Sequence, residues 1–122
     1  ITQNSYDALG QLKTKKLGVA GSTTIETLAY DYNIRGWLLG MNRNYVNSIT
    51  IANKFGYELT YDRAPCFSGS NFQAQYNGNI SGMSWRGKSL SDNIRHYEYR
   101  YDAANRTHYK QTYHPFILHI CE

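Results

Sequence analysis

The stretch Tyr6-Asp7-Ala8-Leu9-Gly10-Gln11-Leu12 is written three times in this chain, twice in altered form. The other copies are Tyr32-Asn33-Ile34-Arg35-Gly36-Trp37-Leu38 and Tyr101-Asp102-Ala103-Ala104-Asn105-Arg106-Thr107. A local phrase that recurs along a chain is typical of repeat architectures. A repeat of this kind builds a surface or a wall, so catalytic residues have to be established separately.

Each copy has the composition of a tight turn between two antiparallel strands. The residue after the tyrosine is Asp or Asn, whose side chain bonds its own backbone at the start of a type I turn. The fourth turn position is Gly or Asn, which adopt a left-handed conformation at low cost. Such a turn closes a hairpin with a small bulge. The predicted turn-fixing residues are Asp7, Asn33 and Asp102, and the predicted left-handed residues are Gly10, Gly36 and Asn105.

The segments that flank the turns alternate with a period of two. Tyrosine and other apolar residues occupy every second position in 28–32, 55–61 and 97–101. This pattern predicts half-buried antiparallel strands with the aromatic face turned to the core. Tyr32, Tyr61 and Tyr101 are predicted to anchor the sheet. Residues 44–55 form the best helical candidate, although the segment contains β-branched residues.

Two further tyrosines introduce weaker relatives of the phrase. Tyr61-Asp62 continues without the glycine, and Tyr76 precedes Asn77-Gly78, the strongest signal for a two-residue hairpin. The steps between the five tyrosines are 26, 29, 15 and 25 residues. Steps near 25 fit one long hairpin with its connection. An ordinary β-meander whose turns reuse Tyr and Asp is the alternative interpretation.

Length and composition agree with a thin sheet. At 122 residues the chain can form one domain with its own core. It contains 12 tyrosines and 10 glycines but only 2 prolines, which suits strands separated by turns. Because aliphatic residues are modest in number, tyrosine must supply much of the buried area, and its hydroxyl groups then need partners.

The charge pattern excludes some partners. The net charge is +4, from 13 basic and 9 acidic residues that are scattered along the chain. A nucleic-acid surface needs a denser basic stripe, so we predict no nucleic-acid partner. No run is long enough to span a membrane and no signal peptide is present. The chain opens at Ile1 and not at Met, and we interpret it as a piece of a longer protein.

The sequence contains few candidates for catalytic or metal-binding residues. The tail contains His108, His114, His119 and Cys121, but their spacing matches no zinc motif, and alternation there favours a strand. Cys66 and Cys121 could pair, which the sequence leaves open. No converging carboxylates, Cys-His signature or phosphate-binding loop is indicated. We therefore predict no enzymatic activity, no cofactor and no metal site.

The order of four motifs resembles one known family. The Tyr-Asp-x-x-Gly-x-Leu phrase resembles the YD repeat of the RHS-repeat family. Residues 30–38, residues 55–62, and residues 75–82 followed by Trp85 look like the ordered block of RHS-like proteins from the Bacteroidetes group of bacteria. Residues 97–106 then supply the closing strand and turn. Residues 1–106 are thus interpreted as the repeat segment and residues 107–122 as a tail that departs from the family pattern.

The resemblance implies an all-β fold in which antiparallel hairpins form part of a curled β-shell with little or no helix. It also implies a large bacterial secreted or cell-surface protein whose shell encloses or displays a C-terminal toxin domain. The segment itself would be non-enzymatic scaffold, and its partners would be the neighbouring repeats of the same parent chain and an enclosed toxin domain.

A binding module is the alternative function. Trp37, Trp85 and the rows of tyrosine could stack on carbohydrate or on a partner protein if their rings were exposed. Alternating tyrosine at period two is more typical of a core face, so the scaffold is the preferred interpretation.

Overall fold

The computed structural model describes residues 1–47, 53–64, 72–88 and 94–113. Eight strands form one antiparallel sheet in which the spatial order follows the chain order, and the sheet is not closed. The strands are β1 Gln3–Tyr6, β2 Leu12–Leu17, β3 Glu26–Tyr32, β4 Leu38–Met41, β5 Phe55–Thr60, β6 Gly82–Gly87, β7 Arg95–Tyr101 and β8 Thr107–Tyr113. The predicted all-β class is confirmed.

Three of the four hairpins close in the same way. In β1–β2, β3–β4 and β7–β8 the register shifts by one residue immediately before the last tyrosine of the first strand. The fourth turn position has positive φ in each: 78° at Gly10, 78° at Gly36 and 62° at Asn105. The bulged type of hairpin and the left-handed positions predicted from the sequence are therefore confirmed.

The acidic or amide side chain at the start of each turn bonds the backbone twice. Asp7 Oδ1 accepts hydrogen bonds from the backbone N–H groups of Leu9 and Gln11, both at 2.9 Å. Asn33 Oδ1 and Asp102 Oδ1 accept the equivalent pairs at 2.9–3.0 Å. One side-chain oxygen thus holds two backbone donors that the turn leaves without partners.

The remaining hairpin, β5–β6, differs from the sequence prediction. Tyr61 directly follows its first strand, and a long connection leads to β6 at Gly82. No strand directly precedes Asn77-Gly78 among the described residues, so the predicted two-residue hairpin at Tyr76 is wrong. Gly78 uses its positive φ of 95° to bend the connection closely past Trp37, where a Cβ atom would lie 3.4 Å from the indole.

The two faces of β5, β6 and β7 also differ from expectation. The aromatic face is half-buried, whereas the alternate positions are almost fully buried and mostly polar. The prediction that the aromatic face is the core face is wrong in these strands. Over β5 and β6 this face is covered by the short helix α1, Arg43–Asn47, which packs there because Gly56 leaves room for Val46.

Helix α1 occupies the start of the predicted 44–55 helix, and residues 48–52 lie outside the described part of the chain. Its Tyr45 and Val46 are buried. No helix among the described residues has the length and apolar character that crossing a membrane requires.

The predicted boundary after residue 106 falls inside the last hairpin. Strand β8 pairs along its length with β7, so the first half of the proposed tail belongs to the sheet. Cys66, His114, His119 and Cys121 lie outside the described residues.

The backbone at Gly36 provides a test of the turn geometry. Gly36→Val should lower the free energy of unfolding by about 2 kcal/mol, because a β-branched residue resists positive φ. Gly87→Val is the matched control: Gly87 is a strand glycine without positive φ, and an added Cβ would meet only Phe55 at 3.7 Å. Chemical denaturation compares the two, and equal losses would contradict the assignment of strain to the turn.

Candidate functional site

Successive hairpins are joined to one another by the same kind of hydrogen bond. We call the last tyrosine before each hairpin connection the turn tyrosine, and the residue two positions after the positive-φ residue the return residue. The turn tyrosines are Tyr6, Tyr32, Tyr61 and Tyr101, and the return residues are Leu12, Leu38, Ile80 and Thr107.

Each turn tyrosine after the first donates its hydroxyl to the return residue of the preceding hairpin. Tyr32 Oη donates to the carbonyl oxygen of Leu12 at 3.1 Å. Tyr61 Oη donates to the carbonyl oxygen of Leu38 at 2.8 Å, and Tyr101 Oη to that of Ile80 at 2.8 Å. The same donor and the same acceptor position thus recur at all three junctions between hairpins.

The phenol groups of Tyr61 and Tyr101 are buried enough to shift their pKa values. Burial raises the pKa of both phenols above its ordinary value. Each hydroxyl therefore keeps its proton at neutral pH and remains a donor.

The register at the three junctions is identical. Thr14 pairs with Ala29 between β2 and β3, and continuing that register places Tyr32 opposite Gln11. In the same way Tyr61 lies opposite Trp37, and Tyr101 lies opposite Asn79. Every turn tyrosine therefore faces the residue just before a return residue, which is why its hydroxyl meets the same carbonyl each time.

The connections lie in a row along one end of the sheet and touch their neighbours. Arg35 Nη1 donates to the carbonyl oxygen of Tyr76 at 3.2 Å. The Trp37 ring packs at 5.1 Å from the Tyr61 ring, between centroids. Farther along, the side-chain amides of Asn77 and Asn79 donate to Asn105 Oδ1. The residues predicted to build turns are thus brought together as one continuous row.

The predicted site residues are not all equivalent in this row. Asp62 lines a groove, and its side chain accepts no turn hydrogen bond from the described residues, while Tyr76 is an exposed residue of the long connection and not a turn tyrosine. Trp85 lies in β6 on the aromatic face and packs on Tyr97 at 4.6 Å between centroids.

The buried polar face was not identified from the sequence. A row of directly opposed residues crosses five strands on this side of the sheet, from the exposed Asp31 through the buried Gly40, Glu58, Ser84 and His96. Arg43 on α1 binds Glu58 through its Nη2 atom at 2.5 Å and its Nε atom at 3.1 Å. Arg86 donates to the carbonyl oxygen of Tyr45 at 3.2 Å, so the polar face and the helix are joined by charged hydrogen bonds.

Ser84, His96 and Glu98 carry the functional groups that hydrolases use, but their side chains are not accessible to solvent. Ser84 Oγ lies 2.9 Å from His96 Nδ1, and His96 Nε2 lies 3.7 Å from Glu98 Oε1. Their relative exposures are 1%, 0% and 2%, so the hydroxyl is closed to a substrate in this structure. In this arrangement the three side chains act as packing and hydrogen-bonding groups of the core.

Asn42 is a second residue that the sequence did not mark. It has a φ of 50°, its Oδ1 accepts from the N–H of Ala29, and its Nδ2 donates to the carbonyl oxygen of Phe55, both at 2.9 Å. It therefore bridges β3 and β5 just beyond the end of β4. The signal available in the sequence was an isolated asparagine after a glycine-containing strand. The recurring Tyr-Asp-x-x-Gly phrase has no equivalent position that would have drawn attention to it.

A groove of about 520 Å³ lies beside the second turn. Its walls include Arg35 and Trp37 from the β3–β4 hairpin, Arg43 from α1, and Tyr61 and Arg63 from the connection after β5. The Trp37 ring is already in contact with the Arg35 guanidinium at 5.0 Å and with Tyr61, and Gly78 approaches its edge. The aromatic surface that a sugar ring would need is therefore largely occupied by the protein itself.

Within the described ranges, no three His, Cys, Asp or Glu side chains converge on a point that could hold a metal ion. No protein-family model, curated protein or solved structure matches this chain.

Removing one hydroxyl tests the recurring bond. Tyr61→Phe and Tyr101→Phe should each lower the free energy of unfolding by about 1 kcal/mol, because a carbonyl acceptor loses its donor while the ring stays in place. Tyr76→Phe is the control, since Tyr76 is 67% exposed and donates no hydroxyl hydrogen bond among those described. Denaturant titration gives the differences, and losses as large in Tyr76→Phe would contradict the assigned role.

The buried histidine predicts a dependence of stability on pH. Burial lowers the pKa of His96 to about 4, although a hydrogen bond to the backbone of Met83 raises it in part. The unfolded chain takes up a proton near pH 6.5 and the folded chain does not, so stability is full above pH 6.5 and falls as the pH drops toward 4. The total loss attributable to this group is on the order of 3 kcal/mol.

This pH effect is separable from that of other groups. In His96→Gln the slope of unfolding free energy against pH between 6.5 and 4 should shrink, whatever the absolute stability of the variant. His108→Gln, at an exposed histidine, should keep the slope of the unmodified chain. An unchanged slope in His96→Gln would assign the acid sensitivity to carboxylates instead.

Proposed function

We propose that this chain is a non-enzymatic structural segment of a large bacterial secreted or cell-surface protein of the RHS-like type. In this proposal its hairpins form part of a β-shell that encapsulates or displays a toxin or effector domain. The observation that carries the proposal is the identical junction between successive hairpins, with one hydroxyl–carbonyl bond and one register used three times.

The recurring junction supports a scaffold because it can be repeated without limit. Each hairpin supplies a donor to the hairpin before it and an acceptor to the hairpin after it. A chain built in this way gains stability from nearest-neighbour contacts, as repeat proteins do. The resulting wall grows by one hairpin at a time, with its connections in a row at one end of the sheet.

The inaccessible polar core also supports a structural role. The side chains with the most reactive combination of groups, Ser84 and His96, are used to pack the sheet. Two hydrogen-bonded arginines, Arg43 and Arg86, tie the sheet to α1. In this proposal these residues stabilise the wall.

The parent protein provides the direct test. An antibody raised against this chain should detect, in bacteria that carry the gene, a protein far longer than 122 residues in the medium or on the cell surface. Electron microscopy of that protein should show a hollow particle. Known cytoplasmic and surface proteins serve as fractionation controls. A protein of about the length of this chain in the cytoplasm would overturn the proposal.

A further inference from the structure

The series of junctions is left open at both ends of the described sheet. Tyr6 is a turn tyrosine at the end of β1, yet its side chain is 60% exposed, because no described hairpin precedes it. At the opposite edge, Thr107 is a return residue, and no described strand lies beyond β8. One edge therefore offers the donor of a junction and the other edge offers the acceptor position.

We infer that these two edges bind one another between molecules, so that a second copy of this chain seats its β8 edge on the β1 edge in the register of the internal junctions. The inference rests on the proposed function in one respect, that the sheet is built to be continued. In the assembly, Tyr6 Oη of one copy donates to the carbonyl oxygen of Thr107 in the next.

The internal junctions fix the register of this contact. Since a turn tyrosine always faces the residue before a return residue, Tyr6 should face Arg106 of the neighbouring copy. Ser5 then faces Thr107, and Asn4 faces His108. The four residues of β1 are all exposed and carry no charge, so no like charges are placed opposite one another.

The chemistry of the β1 edge supports a second copy as the occupant. Natural edge strands are commonly protected by short length, charged residues or proline; β1 is short but has no charge and no proline. It is short and polar, so it lacks the apolar surface that a helix or a lipid would cover. A strand edge that supplies N–H and C=O groups in the matching register is the partner it fits. Because the contact joins two different edges, the assembly is head-to-tail and open.

Disulfide trapping tests the register. In a Cys66→Ser, Cys121→Ser background, the pair Asn4→Cys with His108→Cys should form intermolecular disulfides, since directly opposed strand residues lie about 5 Å apart at Cα. The matched control keeps Asn4→Cys and replaces His108→Cys by Thr112→Cys, which is displaced by about 13 Å along the strand. Non-reducing gels should show a ladder of dimers and larger species for the first pair only.

Self-association of the unmodified chain gives the second readout. Sedimentation should show concentration-dependent dimers and larger species, and Tyr6→Phe should weaken the association about fivefold through loss of one hydrogen bond. Tyr76→Phe, at a similarly exposed tyrosine, should leave it unchanged. A chain that stays monomeric at all concentrations, or equal trapping in both cysteine pairs, would overturn the inference.

The outcomes separate this inference from the proposed function. A surface-exposed, hollow parent protein together with a strictly monomeric chain would remove the inference and keep the scaffold. In-register trapping together with a short cytoplasmic parent would keep the inference and remove the proposed shell.

Discussion

The hydrogen bond from a turn tyrosine to the return residue of the preceding hairpin is the constraint on which the sheet depends. A strand that slips by one residue transfers every side chain to the opposite face. It also moves the tyrosine hydroxyl about 3.3 Å along its neighbour, out of reach of its carbonyl acceptor. The bond therefore selects the same register as the face pattern does. Each bond contributes only about 1 kcal/mol, but it contributes at the ends of strands, where pairing would otherwise fray.

The second constraint is the polar character of the buried face. Moving Glu58, Arg86 and His96 out of water costs free energy unless hydrogen-bonding partners replace the water. Arg43 reaches Glu58 from α1, Tyr45 accepts from Arg86, and Ser84 lies beside His96. Because these partners come from different strands and from the helix, the face satisfies them only when strands and helix are correctly aligned. The aromatic face makes weaker demands, since half-buried rings tolerate small shifts.

The local structure of the repeat was predictable because it depends on backbone preference. Asp7 and Gly10 determine a turn through a hydrogen bond within five residues and through one positive φ, and neither requires knowledge of distant contacts. The strands followed from alternation for the same reason. The junction between hairpins was not predictable in detail, since Tyr32 and Leu12 are 20 residues apart and the acceptor is a backbone carbonyl that no side chain marks.

Residue hydrophobicity did not predict which face of the sheet is buried. Tyr57 and Tyr97 are more apolar than Glu58 and Glu98, so sequence reasoning placed the tyrosines inside. The small residue Gly56 on the opposite face was the usable signal, because it permits close approach of Val46 on the covering helix. The two-residue hairpin predicted at Tyr76 and Asn77-Gly78 was wrong for a related reason. A dipeptide that prefers positive φ indicates a bend, and only the neighbouring pairing decides whether that bend joins two strands.

The long connection of the third hairpin has a consequence for how such a protein can diversify. Nineteen residues lie between Tyr61 and Ser81 in this hairpin, where the other hairpins need only a tight turn, yet β5 and β6 keep the common junction register with β4 and β7. Because the hydroxyl bonds fix the strand ends and not the loop, new sequence can be inserted there without altering the wall. The end of the sheet that carries the connections is thus free to vary, and selection for new surface properties can act on it while the sheet stays the same.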